Sequence, residues 1–296
     1  MRFRAVAALA LLALLLQPAP AAAWGFAAHQ FIMRRALELL PPELKPFFES
    51  RRDEVVVRVK DPDLWRNAGW PEDANHFMDF GVKEYGDYPF RELPRDYTAA
   101  LEKFGQATIQ KNGRLPWRFA EAFGNLRRGF EGFGRNSSYA PDDVVLFAGM
   151  AAHYIQDATM PLHAADNYDG IQTGQRGIHS RFEMELFERY QDRLTLAPPA
   201  MAPVSQPDDL AWEILLDSYQ QVEPLLKADK EAAAGLEFYD TTYFDRFYRN
   251  AGPLMQRQIS RAIAATAAVI TGAWIEAGRP PVGALKPRPP QKIGGR

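Results

Sequence analysis

Apolar positions recur at three- and four-residue intervals along most of the chain, and the two-residue alternation of half-buried strands is scarce. Residues 27–40 present one apolar face and stop at Pro41-Pro42, where a helix cannot continue. Residues 43–59 read as a second helix in spite of the β-branched run Val55-Val56-Val57. Further helices are expected over 97–111, 116–130 and 141–159, with Pro141 suited to a first turn that needs no N–H. Residues 178–194, 208–234 and 242–277 complete the set. The stretch 259–275 is strongly apolar, but Arg261 and its length point to a buried core helix rather than a membrane span. No internal repeat or interdomain linker interrupts the pattern. The expected fold is all-α, a single compact multi-helix domain over residues 24–278.

The two ends depart from that pattern. Arg2 and Arg4 precede a short apolar run at 5–16, and Ala21-Ala22-Ala23 supplies small residues for cleavage, as in a secretory signal peptide over 1–23. About 20 apolar residues span a bilayer, so this run is too short to anchor the chain, and no transmembrane segment is expected after cleavage. Residues 279–296 form a basic, Pro-rich stretch that reads as a disordered, solvated tail. The expected location is the periplasm or the extracellular medium. The chain has no cysteine, so an exported form draws its stability from the core and from bound metal.

Charge narrows the partners. The whole chain carries 35 basic and 37 acidic side chains, and loss of Arg2 and Arg4 takes the formal charge from −2 to −4. The tail holds five basic groups and no acidic one, so the remaining body stands at −9. Proteins that grip duplex DNA displace counterions with a basic face, and this composition supplies none. Bound cations would provide positive charge locally.

The chemistry is concentrated in residues 146–188, LFAGMAAHYIQDATMPLHAADNYDGIQTGQRGIHSRFEMELFE. His153 and Asp157 are four apart, His163 follows beyond Met160-Pro161, and His179 and Glu183 are again four apart. Residues four apart on a helix share a face, so each pair aims an imidazole and a carboxylate at one point. One such pair alone is more simply a helix-surface hydrogen bond. Two pairs around a third histidine favour a divalent cation, and imidazole with carboxylate and no thiol is the ligand mix of catalytic zinc. Upstream, KDPDLWRNAGWPEDANHFMDFG at 60–81 contains His76 and two candidate carboxylates, Asp61 and Asp63. Asp61 precedes Pro62 and also suits a turn cap.

The spacing H-x3-D-x5-H at His153, Asp157 and His163, followed by H-x3-E at His179 and Glu183, resembles the metal core of the zinc-dependent phospholipase C family. That family is related to the single-strand-specific zinc nucleases. PLHAA at 161–165 and GIHSRFE at 177–183 lie nearer the phospholipase branch. The resemblance implies the helical fold of that family and three zinc ions per chain. Asp63, His76, His153 and Asp157 would hold one, with Asp63 preferred over Asp61 because Asp63-Leu64-Trp65-Arg66 matches the family's D-x-x-R. His163, His179 and Glu183 would hold the second. Trp24, as a freed N-terminus, and His29 would hold the third, with Asp157 bridging it to the first. All five histidines are then used.

The implied activity is hydrolysis of phosphate esters by hydroxide that zinc makes available near neutral pH. Asp63 would also orient or deprotonate the attacking water. Phospholipid is the first expected substrate and single-stranded nucleic acid the second. In the nucleases an aromatic and an aspartate near the position of Phe77 and Asp79 bind a base; Phe77 is equally a core residue. Trp65, Trp70 and Tyr85 are candidates for meeting a lipid surface. A reading of another class is an exported zinc-binding protein that catalyses nothing. Nothing marks a stable protein partner, and a monomer is expected.

Overall fold

The computed structural model describes residues 24–283; the signal reading over 1–23 and the tail reading from 284 onward lie outside the described residues. The molecule is built around one helix that water does not reach. Every residue from Ala148 to Ala158 in the helix Ala140–Ala158 is buried, the polar His153, Gln156 and Asp157 included. A helix apolar on nearly all sides belongs inside a bundle. Its small residues Ala148, Gly149, Ala151 and Ala152 let neighbours approach closely.

Those neighbours follow in chain order. Helix α1 is Phe26–Glu38, α2 Lys45–Ser50, α3 Arg52–Arg58 and α4 Asp61–Asn67. After a long irregular segment come α5, Tyr97–Asn112, and α6, Leu115–Gly134. The central helix is α7. A wound segment over 178–193 contains the short helices α8, Ile178–Ser180, and α9, Phe187–Tyr190. Helices α10, Pro207–Gln220, α11, Val222–Ala233, and α12, Thr241–Glu276, close the bundle. Helices α3, α6, α10 and α12 all pack on α7. Among the described residues no strand forms, only isolated bridges pairing Met78 with Gly113 and Phe80 with Ala165. The all-α expectation is met, and no described helix is long and apolar enough to cross a membrane.

Several expected boundaries shift for physical reasons. The single helix expected over 43–59 breaks at Arg51 (φ −120°, ψ 17°), which turns α3 onto α7. The one expected over 208–234 breaks at Gln221, because Pro224 has no N–H for the Gln220 carbonyl and its ring crowds that turn. Helix α5 is kinked at Gly105, whose φ of 77° is a left-handed value. Helix α4 was not expected; its Pro62 lies in a first turn, where proline is tolerated. Over 178–194 the chain is helical but unevenly wound, with Arg181–Leu186 in a wider π turn.

Candidate metal centre

A buried polar group must find a partner, and on α7 that requirement draws in every other histidine. His153 Nδ1 lies 2.8 Å from the Val59 carbonyl, so its proton sits there and the Nε2 lone pair faces Asp157 Oδ2 at 3.1 Å. Val59, just beyond α3, reaches this position because α7 has no side chain at Gly149. A Cβ there would stand 2.8 Å from the Arg58 carbonyl carbon. Helix α1 brings His29, whose ring stacks on His153 with centroids 4.3 Å apart. His29 Nδ1 is 2.7 Å from Gln156 Oε1, and its Nε2 is 3.3 Å from Asp157 Oδ1.

The irregular segment after α4 supplies the opposite wall. His76 Nδ1 lies 2.9 Å from His153 Nε2 and 3.1 Å from Asp157 Oδ2. Asp63 on α4 is wholly buried, with Oδ1 3.8 Å from His76 Nδ1 and 3.1 Å from the Arg66 guanidinium. His163 stands on the short 3-10 turn Pro161–Ala164. Its Nδ1 donates to the His76 carbonyl (2.7 Å), and its own carbonyl accepts from Met78 N–H (2.8 Å), so turn and loop clasp each other. Gly113, at φ 92°, lets the backbone of Phe77 pass: a Cβ there would fall 2.1 Å from the Phe77 carbonyl oxygen. His163 Nε2 meets His179 Nε2 at 3.1 Å, and His179 Nε2 meets Glu183 Oε2 at 3.1 Å. His179 Nδ1 donates to the Tyr168 carbonyl at 3.2 Å.

Three buried groups of ligand atoms result: His29, His153 and Asp157; Asp63, His76 and His153; His163, His179 and Glu183. Asp157 stands between the first two, Oδ1 toward His29 and Oδ2 toward His76 and His153. Asp61 is directed elsewhere, to Arg58 at 3.0 Å. Trp24 is buried, its indole N–H 3.3 Å from Thr159 Oγ1 and its ring 5.9 Å from Phe182. Phe77 and Asp79 line a cleft of about 400 Å³ together with His76, His163, His179, Arg66, Lys111 and Tyr168. The expectation that Tyr85 meets a surface is overturned, because its ring fills the core; Trp70 is 59% exposed and stacks on half-buried Trp65.

The donor atoms fit a cation. Buried His29 Nε2, His76 Nε2, Asp157 Oδ1 and both oxygens of Asp63 and Glu183 take part in no hydrogen bond. With the Nδ1 protons of His163 and His179 given to carbonyls, their Nε2 lone pairs face each other at 3.1 Å. Lone pairs so placed repel unless positive charge lies between them, which a divalent ion supplies.

Protonation points the same way at His76, His163 and Asp157. Burial depresses His76 and holds His163 well below the ordinary imidazole value; neighbouring rings reinforce it and Asp157 opposes it. Burial would raise the Asp157 carboxyl, but His153 and His163 outweigh it and hold it well below the usual range. His153 and His179 are raised against burial by Asp157 and Glu183. Glu183 is pushed up to about 7 by burial, with Asp63 and Asp157 adding to the push. Neutral His76 and His163 beside an ionised Asp157 are in the state that metal binding requires, whereas His153, His179 and Glu183 hold protons more tightly and would release them to a cation.

The sequence reading did not single out Gln156, the Val59 and Tyr168 carbonyls, or Lys111 and Tyr168 on the cleft wall. For Gln156 a signal existed, an amide beside Asp157 within an otherwise apolar helix. For the carbonyls none could, since any residue carries one. No protein-family model and no curated protein matches the chain.

Proposed function

We propose that this chain is an exported, zinc-dependent hydrolase of phosphate esters, of the zinc-dependent phospholipase C type, holding three zinc ions. The observation that carries the reading is the gathering of all five histidines with Asp63, Asp157 and Glu183 in three buried groups, two of whose imidazoles line an open cleft with His76. Structural zinc sites are closed, whereas catalytic ones keep a position for water or substrate. Zinc held by these residues would lower the pKa of water toward about 7 and would offset charge growing on phosphate oxygens.

The chain's own groups complete the chemistry. His29, Asp157 and the freed amine of Trp24 would hold the third ion; Asp63, His76, His153 and Asp157 the first; His163, His179 and Glu183 the second. Asp63, ion-paired with Arg66 at 3.1 Å, would take a proton from a water at that edge. Arg66 and Lys111 on the cleft wall attract the anionic ester, while Phe77, Leu162 and Tyr168 supply apolar surface for its organic part. Phospholipid is the favoured substrate. Trp70, exposed between cleft residues Arg66 and Asp73, suits contact with a lipid surface.

A specific observation keeps a second reading, a single-strand-specific nuclease: Phe77 and Asp79 both face the cleft, where a ring can stack on a base for about 1–3 kcal/mol. A side-by-side assay on phosphatidylcholine and single-stranded DNA, with and without a chelator, separates the cases. Chelator-sensitive release of phosphocholine supports the first reading and chelator-sensitive DNA cleavage the second. Three bound zinc ions with neither activity would leave an exported zinc-binding protein.

A further inference from the structure

All five imidazoles have a hydrogen-bond partner at Nδ1; that of His76 is another candidate ligand, Asp157 Oδ2 at 3.1 Å, and among the other four one bond differs in kind. His153, His163 and His179 each meet a backbone carbonyl, of Val59, His76 and Tyr168. A carbonyl only accepts, so at these rings the Nδ1–H tautomer is imposed and Nε2 is left as a donor of its lone pair. His29 meets the side-chain amide of Gln156 instead, Nδ1 to Oε1 at 2.7 Å. An amide carries an acceptor and a donor, so it sets a tautomer only if its own orientation is fixed. The fixing group is Thr266 on α12, whose Oγ1 accepts from Gln156 Nε2 at 3.2 Å. Gln156 and Thr266 are both fully buried, so no water substitutes for either bond.

From this geometry we infer that Gln156, anchored by Thr266, is the positioning residue that sets the His29 tautomer and thereby the occupancy of the third metal position. The inference rests on the metal reading above. With the amide as it stands, His29 Nδ1 holds the proton and Nε2 faces Asp157 Oδ1 at 3.3 Å with neither atom hydrogen-bonded, which leaves both for a cation. With the amide reversed, its NH2 would face Nδ1, the ring proton would move to Nε2, and that proton would bond Asp157 Oδ1 and close the position. Reversal would also cost the bond in which Thr266 Oγ1 accepts from Gln156 Nε2, since the hydroxyl would have to turn and donate to the amide oxygen. The third position is therefore one whose readiness depends on the orientation of a side chain that is not itself a ligand, while the second is set by backbone carbonyls.

The test reads the tautomer without metal. In chelator-stripped protein labelled with 15N-histidine, His29 is expected as the Nδ1–H form. Gln156→Met should shift it toward Nε2–H, and Gln156→Glu, which only accepts, should restore Nδ1–H. Thr266→Val keeps the amide but frees it and should give a mixture. In titration with zinc chloride, Gln156→Met should weaken one of three binding events about 10- to 100-fold and leave the other two. Gln156→Glu should keep all three. An unchanged His29 signal in Gln156→Met and in Thr266→Val overturns the inference while three bound zinc ions leave the metal reading standing. If wild-type protein binds no zinc, the metal reading fails and the role in occupancy with it, and the 15N spectra still decide whether Gln156 sets the tautomer.

Discussion

The two walls of the metal centre are made of different material. One is α7, a helix fully buried from Ala148 to Ala158 that places His153 and Asp157 by winding alone. The other is the irregular segment from Gly69 to Gly81 with the turn at Pro161–Ala164, which places His76 and His163 through reciprocal backbone bonds. The helical wall is held by apolar packing around residues 148–158 and a glycine clearance at Gly149, and the loop wall by buried Met78, Phe80 and Leu162 together with the polar clasp and the clearance at Gly113. Rigidity in the first comes from the core. In the second it depends on the clasp and on whatever cation the ligands share, so removal of metal should loosen the loop wall first.

The largest effect is expected where the walls meet. Asp157 lies within 3.3 Å of His29, His76 and His153, so Asp157→Asn should cost more than one zinc by elemental analysis. A ligand at a thousand times its dissociation constant adds about 4 kcal/mol, and a domain of this size gains roughly 2–4 °C per kcal/mol. The gap in melting temperature between loaded and chelated protein should thus shrink by about 15 °C or more in this variant, about 8–16 °C for each ion lost. Loss of a single zinc would contradict the shared carboxylate.

Two alanine substitutions then separate the walls. Gly149→Ala forces a Cβ against the Arg58 backbone, and overpacking a core costs about 1–3 kcal/mol. Thermal denaturation should record it with and without metal alike. Gly113→Ala sets a Cβ against the Phe77 carbonyl and strains a left-handed φ of 92°, about 1–2 kcal/mol. Its main effect should be on zinc affinity, read by chelator competition, since Phe77 adjoins His76. Equal effects of both variants on affinity would erase the distinction between the walls.

A further effect concerns pH. Burial pushes Asp79 up to about 8, with Asp166 adding to it and Lys111 opposing. A carboxyl raised from 3.8 binds its proton more tightly when folded, so its contribution to stability is present at low pH and is lost as pH rises from about 4 through 8. Asp79→Asn should remove that loss, and its melting temperature relative to wild type should climb across the same window. A constant difference would show that Asp79 titrates normally.

How far the sequence carried the reading follows the same division. His153 with Asp157 and His179 with Glu183 were legible because four-residue spacing on a helix implies a shared face, and both pairs stand 3.1 Å apart. The helical character of the chain was legible from periodicity, but the breaks at Arg51 and Gln221 were not, because tertiary packing and one proline override propensity. Asp63 and His76 were reachable only through resemblance, since no spacing rule links a helix to an irregular loop thirteen residues on. Gln156 went unnoticed because its role exists only once α1 and α12 lie beside α7.

The π turn at Arg181–Leu186 has a consequence for deletions. It lies between His179, which must face the cluster, and Phe187, which must fill the core, and it is anchored through Arg181 to Asp229 (3.0 Å) and Tyr243 (3.1 Å). Each residue of a regular helix advances the direction of its side chains by about 100°. Regular winding of the whole segment would swing Phe187 and Tyr190 by that angle out of their seats, and deleting one residue at Glu185 would let the helix wind uniformly and bring them back into phase. The wider turn is thus what reconciles two phases, one set by the buried histidine cluster and the other by oil.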